Sequence, residues 1–350
     1  MYPLLPKYRS PRLRGFALCL GLGVAPHLLA QQQVTEIPRI GTLDFFGLAR
    51  IQEGRLRQAL KAKEGDPLPA SKGDAEERLD AVQGVVASHL EAVCCDGDKM
   101  ILYVGIEERG AGHFDIREAP EGDVMLPPEI LSTYRDFLDA VESATRRGAT
   151  AEDLTKGHSL MADPLAREIQ LKFTDYAKDS IQQLREVLRN SYDEEQRAAA
   201  AYVIGYAPRK VEVVNDLQFA LRDVDQGVRA NGVRALLAVA IYARLNPDFA
   251  IKVEPTWFVE MLNSLSWSDR DHAMKALDIL TDNRDPSILG LLRERALPAL
   301  TEMARWKTLG HALPAFILTG RVAGWSEQQI QDAWSKGDRE TLINAVRTKK

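Results

Sequence analysis

An apolar stripe with helical spacing recurs four times in the second half of this 350-residue chain. Its members stand at positions 0, +3, +4 and +7, which lie together on one face of an α-helix. The four copies begin at Ala200, Gly232, Ala273 and Leu309, so successive copies are 32, 41 and 36 residues apart. Helices repeated at such a period cannot bury their apolar faces alone, which predicts helical pairs stacked into a solenoid.

Charged residues recur with the stripe. An arginine stands three residues before each of the first three copies, and an aspartate stands four residues before two of those arginines. The stretch LRDVDQGVRANGVRALL, residues 221–237, shows the pattern best and resembles a HEAT-repeat protein. The resemblance covers residues 165–323 and implies that the Asp and Arg side chains join successive turns of the array. The residues concerned are Asp193, Arg197, Asp223, Asp225, Arg229 and Arg270.

The later copies of the repeat are less regular. Ser266 replaces the expected Asp in the third copy and Trp306 replaces the Arg in the fourth, which is typical of terminal units. Pro298 and Pro314 are expected to kink or end helices late in the array. An irregular helical bundle is the alternative to a solenoid for residues 129–350.

The first thirty residues differ from the rest of the chain. Four basic residues and no acidic one lie between positions 7 and 14, an apolar run follows over residues 15–29, and Ala30 ends it. This order predicts a cleaved signal peptide over residues 1–30, and hence a periplasmic or secreted protein. An uncleaved anchor and, through Cys19, a lipoprotein are the alternatives. No later apolar run is long enough to span a bilayer, so we expect no membrane span after signal removal.

Residues 31–108 show a different pattern, in which short strand-like and helical stretches alternate. The residues Asp96-Gly97-Asp98 are typical of a hairpin turn between the last two strands. The strands are expected at 37–46, 89–94 and 100–106, and the helices at 52–61 and 74–87.

This β-α-α-β-β order resembles a POTRA domain, a small periplasmic module, through the segments FFG at 45–47, GDPL at 65–68 and ILYVGIEE at 101–108. Another small α+β fold with the same order is the alternative. An open sheet edge can bind an extended peptide by strand addition. His89 and Cys95 lie on the expected edge and are therefore candidate partner-binding residues.

Glycine and proline are frequent in residues 109–128, which indicates a linker or an irregular crossing. Helical patterns fill residues 129–350, so the fold class is α+β followed by all-α. All five tryptophans lie in the C-terminal third, where core packing is the simplest role. Trp257 follows an irregular insertion and is a further candidate for partner binding, because exposed aromatic side chains anchor interfaces.

The chain carries little that suggests catalysis or nucleic-acid binding. Without residues 1–30 it has 41 basic and 50 acidic residues, a net charge of about −9, which disfavours binding to a phosphate backbone. The remaining histidines lack the spacings of a metal site, and we find no phosphate-binding glycine loop or nucleophile motif. Cys94 and Cys95 are expected as small buried side chains near a strand end, with a strained vicinal disulfide, redox sensing or soft-metal binding as alternatives.

We therefore expect an exported, non-enzymatic adaptor that binds a protein or peptide, without catalytic residues, cofactor or metal. The alternative is an envelope enzyme or cofactor-handling protein with a pocket in its helical domain. A DNA-binding HEAT-like protein fits poorly, because the array is not basic.

Overall fold

The first described part of the chain is a three-stranded sheet with two helices on one face. The computed structural model describes residues 37–348, so the predicted signal peptide lies outside the described residues. The elements are β1 (Ile40–Phe46), α1 (Glu53–Leu60), α2 (Lys72–Asp80), β2 (Val85–Asp96) and β3 (Lys99–Glu108).

β3 is the central strand of this sheet, with β1 parallel to it on one side and β2 antiparallel to it on the other. β2 and β3 meet in a tight turn at Gly97, whose φ of +66° suits glycine. The predicted second helix is too long, because α2 ends at Asp80 and residues from Val85 onward form β2. Ser71 caps α2, since its side chain accepts a hydrogen bond from the Asp74 amide.

Both faces of the sheet are buried. On one face, Leu43, Leu102 and Val104 pack against α1 and α2 in a small core. On the other face, Tyr103 and Phe46 join the core of the helical part. Burial on both sides explains why β3 reads as an almost continuous apolar run instead of an alternating one.

The rest of the described chain is mostly helical and adds one two-stranded ribbon. The helical part is interrupted at Ser180, which lies between the end of α4 and the start of α5. The elements are α3 (Pro128–Arg146), β4 (Glu152–Asp153), β5 (Leu160–Met161), α4 (Pro164–Asp179), α5 (Ile181–Asn190), α6 (Glu194–Ile204), α7 (Val214–Ala220), α8 (Gln226–Leu245), α9 (Thr256–Met261), α10 (Trp267–Leu280), α11 (Pro286–Arg295), α12 (Leu297–Met303), α13 (Leu309–Ala323), α14 (Glu327–Ser335) and α15 (Arg339–Thr348).

The four apolar stripes lie on α6, α8, α10 and α13. These helices contact one another in that order, and each also packs against the shorter helix that precedes it, namely α5, α7, α9 and α12. Pro298 is in the first turn of α12, where its missing amide costs no helical hydrogen bond. Pro314 lies inside α13 and does not end that helix.

Residues 109–127 contain no helix or extended strand and cross loops that precede the striped helices. The Arg117 amide donates to the Arg222 carbonyl at 2.8 Å, and the Gly122 amide donates to the Asn190 carbonyl at 2.8 Å. The Leu126 amide donates to the Gln196 side chain at 2.8 Å. The segment is thus bonded along its length to the helical part, and residues from Ile37 onward form one unit.

Candidate functional site

A row of buried ion pairs joins successive helical pairs. Arg197 donates from Nε and Nη2 to the two carboxylate oxygens of Asp223, at 3.0 and 2.9 Å. Arg229 repeats this arrangement one unit later, with Nε 3.0 Å from Asp269 Oδ1 and Nη2 2.9 Å from Oδ2. All four side chains are at most 5% exposed. Each arginine therefore binds the acid that belongs to the next unit.

The same arginines also hold the loop in front of their own helix. Arg197 donates to the Ser191 carbonyl at 2.9 Å and Arg229 to the Asp223 carbonyl at 2.8 Å, in each case six residues earlier. Arg270 donates to the carbonyl of Ser264, also six residues earlier, at 2.6 Å. The loop geometry thus repeats in all three units.

Asp193 and Asp225 have a different role from Asp223. The Asp193 side chain accepts from the Gln196 amide and the Asp225 side chain from the Val228 amide, so both cap the helix of their own unit. Ser266 caps α10 in the same way through the Asp269 amide. Its replacement of the expected Asp therefore preserves the cap.

The third arginine connects the helical part to the sheet. Arg270 lies over the Phe46 ring at 4.4 Å, and its Nη1 is 3.5 Å from Glu302 Oε2. Glu302 in turn accepts from the amides of Gly47 and Leu48, at 2.8 and 3.1 Å. Burial lowers the pKa of Arg270 to about 10 and raises that of Glu302. No sequence pattern pointed to Glu302, because its partners are main-chain amides far away in the sequence.

Aromatic side chains fill the contact between the sheet and the helices. The Tyr103 ring stacks on Trp267 at 5.2 Å and tilts against Trp306 at 5.0 Å. Its hydroxyl is 2.7 Å from His311 Nδ1. Gly105 allows this close approach, since a Cβ there would lie 2.1 Å from the Leu265 carbonyl oxygen.

The three candidate partner-binding residues lie in different surroundings. His89 is half-buried on β2, with Nδ1 3.5 Å from Glu76, and burial lowers the pKa of its ring. Cys95 is exposed near the end of β2 and forms a disulfide with Cys94, which is exposed as well. The expectation of buried cysteines is therefore wrong, since this end of the strand has no helix over it.

Trp257 differs from an exposed aromatic anchor. It lies on α9, is half-buried, and packs against the helical core. The Arg222 guanidinium covers its ring at 4.4 Å. The structure places Trp257 on a separate element from His89 and Cys95.

The outer edge of β2 is open in its second half. The pairing of β2 with β3 is regular from Ala87 to Cys94. The Leu90 amide points away from β3 and donates to the Glu76 carboxylate at 2.7 Å. Because the direction of the amides alternates along a strand, those of Ala92 and Cys94 also point outward. Both residues are exposed, and no described group accepts from these two amides.

The opposite edge, along β1, is covered. The Ile40 amide donates to the Asp66 carbonyl at 2.8 Å, and the Ile40 carbonyl accepts from the Gly65 amide at 2.7 Å. Further along, Lys307 Nζ donates to the Leu43 carbonyl at 2.6 Å. The chain itself therefore blocks this edge against another strand.

A buried polar cluster lies beneath the ribbon of β4 and β5. Lys210 is 5% exposed and donates to the Gly205 carbonyl at 2.8 Å, with His158 Nδ1 3.3 Å away. Burial lowers the pKa of Lys210 to about 7, and burial together with Lys210 lowers that of His158 to about 4. The adjacent void, lined by Tyr202 and Tyr206 among others, measures about 10 Å³.

Neither a scan against protein-family models nor a search of curated proteins finds a match to this chain. Within residues 37–348, no group of three or more His, Cys, Asp or Glu side chains converges as a metal site would require. Over the same residues, none of the helices combines the length and the apolar character needed to cross a membrane.

Proposed function

We propose that this protein is an exported, non-enzymatic adaptor of the cell envelope, in which a POTRA-like sheet is joined to a HEAT-like solenoid. The proposed partner-binding element is the outer edge of β2, which takes an extended peptide as a fourth strand. The observation that carries this proposal is the contrast between the two sheet edges: the chain covers β1 but leaves Ala92 and Cys94 exposed. Export rests on the basic and apolar pattern of residues 1–30.

An open strand edge is normally avoided, because its unpaired main-chain groups invite pairing with other chains. Proteins usually protect such an edge with a covering loop or with charged side chains. Here residues 92–95 read Ala-Val-Cys-Cys and carry no charge. A strand that accepts a peptide needs an edge whose main-chain groups are free and not shielded by charge, since main-chain hydrogen bonds supply the affinity in strand addition. The outer edge of β2 meets this requirement, whereas the β1 edge is covered.

The test uses the intact chain from residue 31 and peptides selected on it from a random displayed library. Ala92→Pro removes one outward amide and should weaken binding of the selected peptides at least 10-fold. Ala92→Thr keeps that amide and is the matched control, with affinity expected within about 2-fold of wild type. Amide hydrogen exchange at Ala92 and Cys94 should slow in the complex. Equal binding by the two variants, or unchanged exchange, would exclude this edge.

A second candidate function, an envelope enzyme, draws support from the Lys210 cluster, since a buried amine with a lowered pKa is a possible nucleophile. The size of the void argues against it: about 10 Å³ holds roughly one water molecule. Trapping of Lys210 by a small aldehyde and borohydride at pH 7.5 would favour the enzyme. No modification after prolonged exposure would leave the adaptor as the better proposal.

A further inference from the structure

A disulfide joins two neighbouring residues at the end of the open strand edge. Cys94 and Cys95 are bonded to each other, and both are exposed. Ala92, whose outward amide belongs to the proposed peptide-binding edge, stands two residues before the bridge. The two sulfur atoms are therefore accessible to reagents in solution and lie beside the position of an added strand.

This disulfide does not staple the fold together. The stabilisation that a disulfide provides depends on the length of the chain loop it closes, because the loop restricts the unfolded state. No residue lies between the two cysteines, so the bridge restricts only its own dipeptide. It also connects no separate elements, since both cysteines belong to β2. The effect of the bridge is therefore local, on the shape of the strand end.

The pairing of β2 with β3 shifts by one residue at the bridge. Asp96 lies opposite Lys99. Regular pairing would then place Cys95 opposite Met100, but Cys94 takes this position, so Cys95 is an extra residue in a β-bulge. A regular strand points neighbouring side chains to opposite faces, whereas a disulfide needs two Cβ atoms about 3.5–4.5 Å apart. The bridge and regular pairing at Cys95 therefore exclude each other.

The bridge also fixes one of the hydrogen-bonding groups of the edge. In a regular antiparallel strand, the amide and the carbonyl of one residue point to the same side. Because the Cys94 amide points outward, a regular strand would direct the Cys94 carbonyl outward as well. That carbonyl belongs to the peptide group between the two cysteines, which the bridge encloses in a ring. While the disulfide exists, its orientation is set by the bridge and not by the strand.

We propose that the Cys94–Cys95 disulfide is a site of reversible thiol–disulfide exchange with a dithiol, and that its reduction strengthens peptide binding at the edge of β2. This inference rests on the strand addition proposed above. Reduction releases Cys95, which then pairs opposite Lys99 and leaves residues 96–98 as a three-residue hairpin turn. The Cys94 carbonyl turns outward and becomes a further acceptor for the added strand.

The exchange needs a reductant with two thiols. A thiolate of the dithiol attacks one sulfur of the bridge, so the bond between the cysteines breaks and a mixed disulfide forms. The second thiol of the reductant then attacks the mixed disulfide, forms the reductant's own disulfide and releases the second cysteine. Two electrons and two protons pass in total from the dithiol to the bridge. A monothiol is a poorer reductant, because the freed cysteine lies beside the mixed disulfide and expels the monothiol again.

The experiment uses the intact chain from residue 31, in which Cys94 and Cys95 are the only cysteines. Library peptides are selected separately on the oxidised chain and on the chain in excess dithiothreitol, and each peptide is titrated against both forms. One further main-chain hydrogen bond should tighten binding about 5-fold after reduction. By linkage, a saturating peptide should favour reduction by dithiothreitol by the same factor. The control Cys94→Ser/Cys95→Ser should bind as the reduced chain does, with or without dithiothreitol.

Equal affinities of the two forms, tighter binding by the oxidised form, or a bridge that dithiothreitol does not reduce would overturn the inference. A readout without peptide separates it from strand addition. Reduction should create a cross-strand nuclear Overhauser contact between Cys95 and Lys99, a position that Asp96 holds in the oxidised chain. If this contact appears but no peptide binds either form, strand addition is wrong and the effect on binding is lost with it, whereas the exchange site stands. If peptides bind at Ala92 but the contact is absent after reduction, the redox inference is wrong and strand addition stands.

Discussion

Arg197 and Asp223 form a two-point ion pair across successive helical units, and each side chain is only 1% exposed. Removal of Arg197 takes away both of these contacts and leaves the buried Asp223 carboxylate with only the Arg117 guanidinium, at 3.4 Å, as a cationic partner. Removal of one partner from a buried ion pair typically costs about 3–5 kcal/mol. We therefore expect Arg197→Leu to lower the free energy of unfolding in urea by about 3 kcal/mol. The double variant Arg197→Leu/Asp223→Leu should recover part of this loss, because apolar pairs often replace buried ion pairs well.

Arg135 and Glu195 provide the matched control, since they pair on the surface with side chains that are 57% and 40% exposed. Arg135→Leu should change the free energy of unfolding by less than about 1 kcal/mol. If Arg197→Leu proves as mild as Arg135→Leu, the buried pair does not hold the units together.

The arginine pattern shows how far sequence could lead. The sequence pointed to Arg197 and Arg229 because both stand at the same distance from the apolar stripe. A loop that recurs in each repeat is held by the same side chain each time. Asp269 was not visible as a partner, because it stands three residues inside α10, whereas the equivalent Asp223 stands in the loop before α8. Asp269 and Asp223 therefore bind the preceding arginine in the same way, although they stand at different positions in their repeats.

The way the sheet packs on the helices could not be predicted from the sequence, because the contacts that fix it involve main-chain groups and distant residues. Glu302 accepts from the amides of Gly47 and Leu48. Because every residue except proline has a main-chain amide, the sequence does not reveal such a partner. The open edge of β2 was predicted only as a possibility, because coverage of the β1 edge depends on Lys307, which is more than 200 residues away. Contacts between distant segments carry no local periodicity.

Gly105 should be essential for the contact between β3 and the helical part. A Cβ there would lie 2.1 Å from the Leu265 carbonyl oxygen and 2.9 Å from the Phe46 ring, so main chain would have to move. We expect Gly105→Ala to destabilise the protein by about 2–4 kcal/mol, within the range of severe core substitutions. Chemical denaturation of the intact chain measures the loss.

Gly290 offers the opposite case for the same substitution. It lies within α11 with nothing within 4 Å of an added Cβ. Gly290→Ala should raise stability by about 0.5–1 kcal/mol, since alanine favours a helix over glycine. A Gly105→Ala variant as stable as wild type would show that the sheet does not pack as described.

Lys210 should make stability depend on pH. Its pKa is lowered by burial from 10.5 to about 7, so between these values the unfolded chain binds more protons than the folded one. Stability then rises with pH across this window, with a slope that approaches about 1.4 kcal/mol per pH unit in its middle. Lys210→Met should abolish most of that rise and increase stability at pH 7, because the amine no longer has to be buried.

Urea unfolding at pH 7.0, 8.0 and 9.0 tests this expectation. Lys178 lies exposed on α4, and Lys178→Met should keep the slope of the wild type. A Lys210→Met variant that also keeps the slope would show that the amine is hydrated in the folded protein.

Glu108 should hold the loop that follows β1. It is 4% exposed, and its carboxylate accepts from three consecutive amides, those of Ala49, Arg50 and Ile51, at 2.8 to 3.1 Å. Glu108→Gln keeps the shape but replaces one acceptor oxygen with a donor that faces these amides. We expect the free energy of unfolding to fall by about 1–3 kcal/mol and amide hydrogen exchange at residues 49–51 to become faster.

Glu107→Gln is the neighbouring control, since the ion pair of Glu107 is with the exposed His113. Unchanged exchange at residues 49–51 in Glu108→Gln would mean that the loop is held by the Glu302 contacts to Gly47 and Leu48 instead, and Glu302→Gln should then produce the faster exchange.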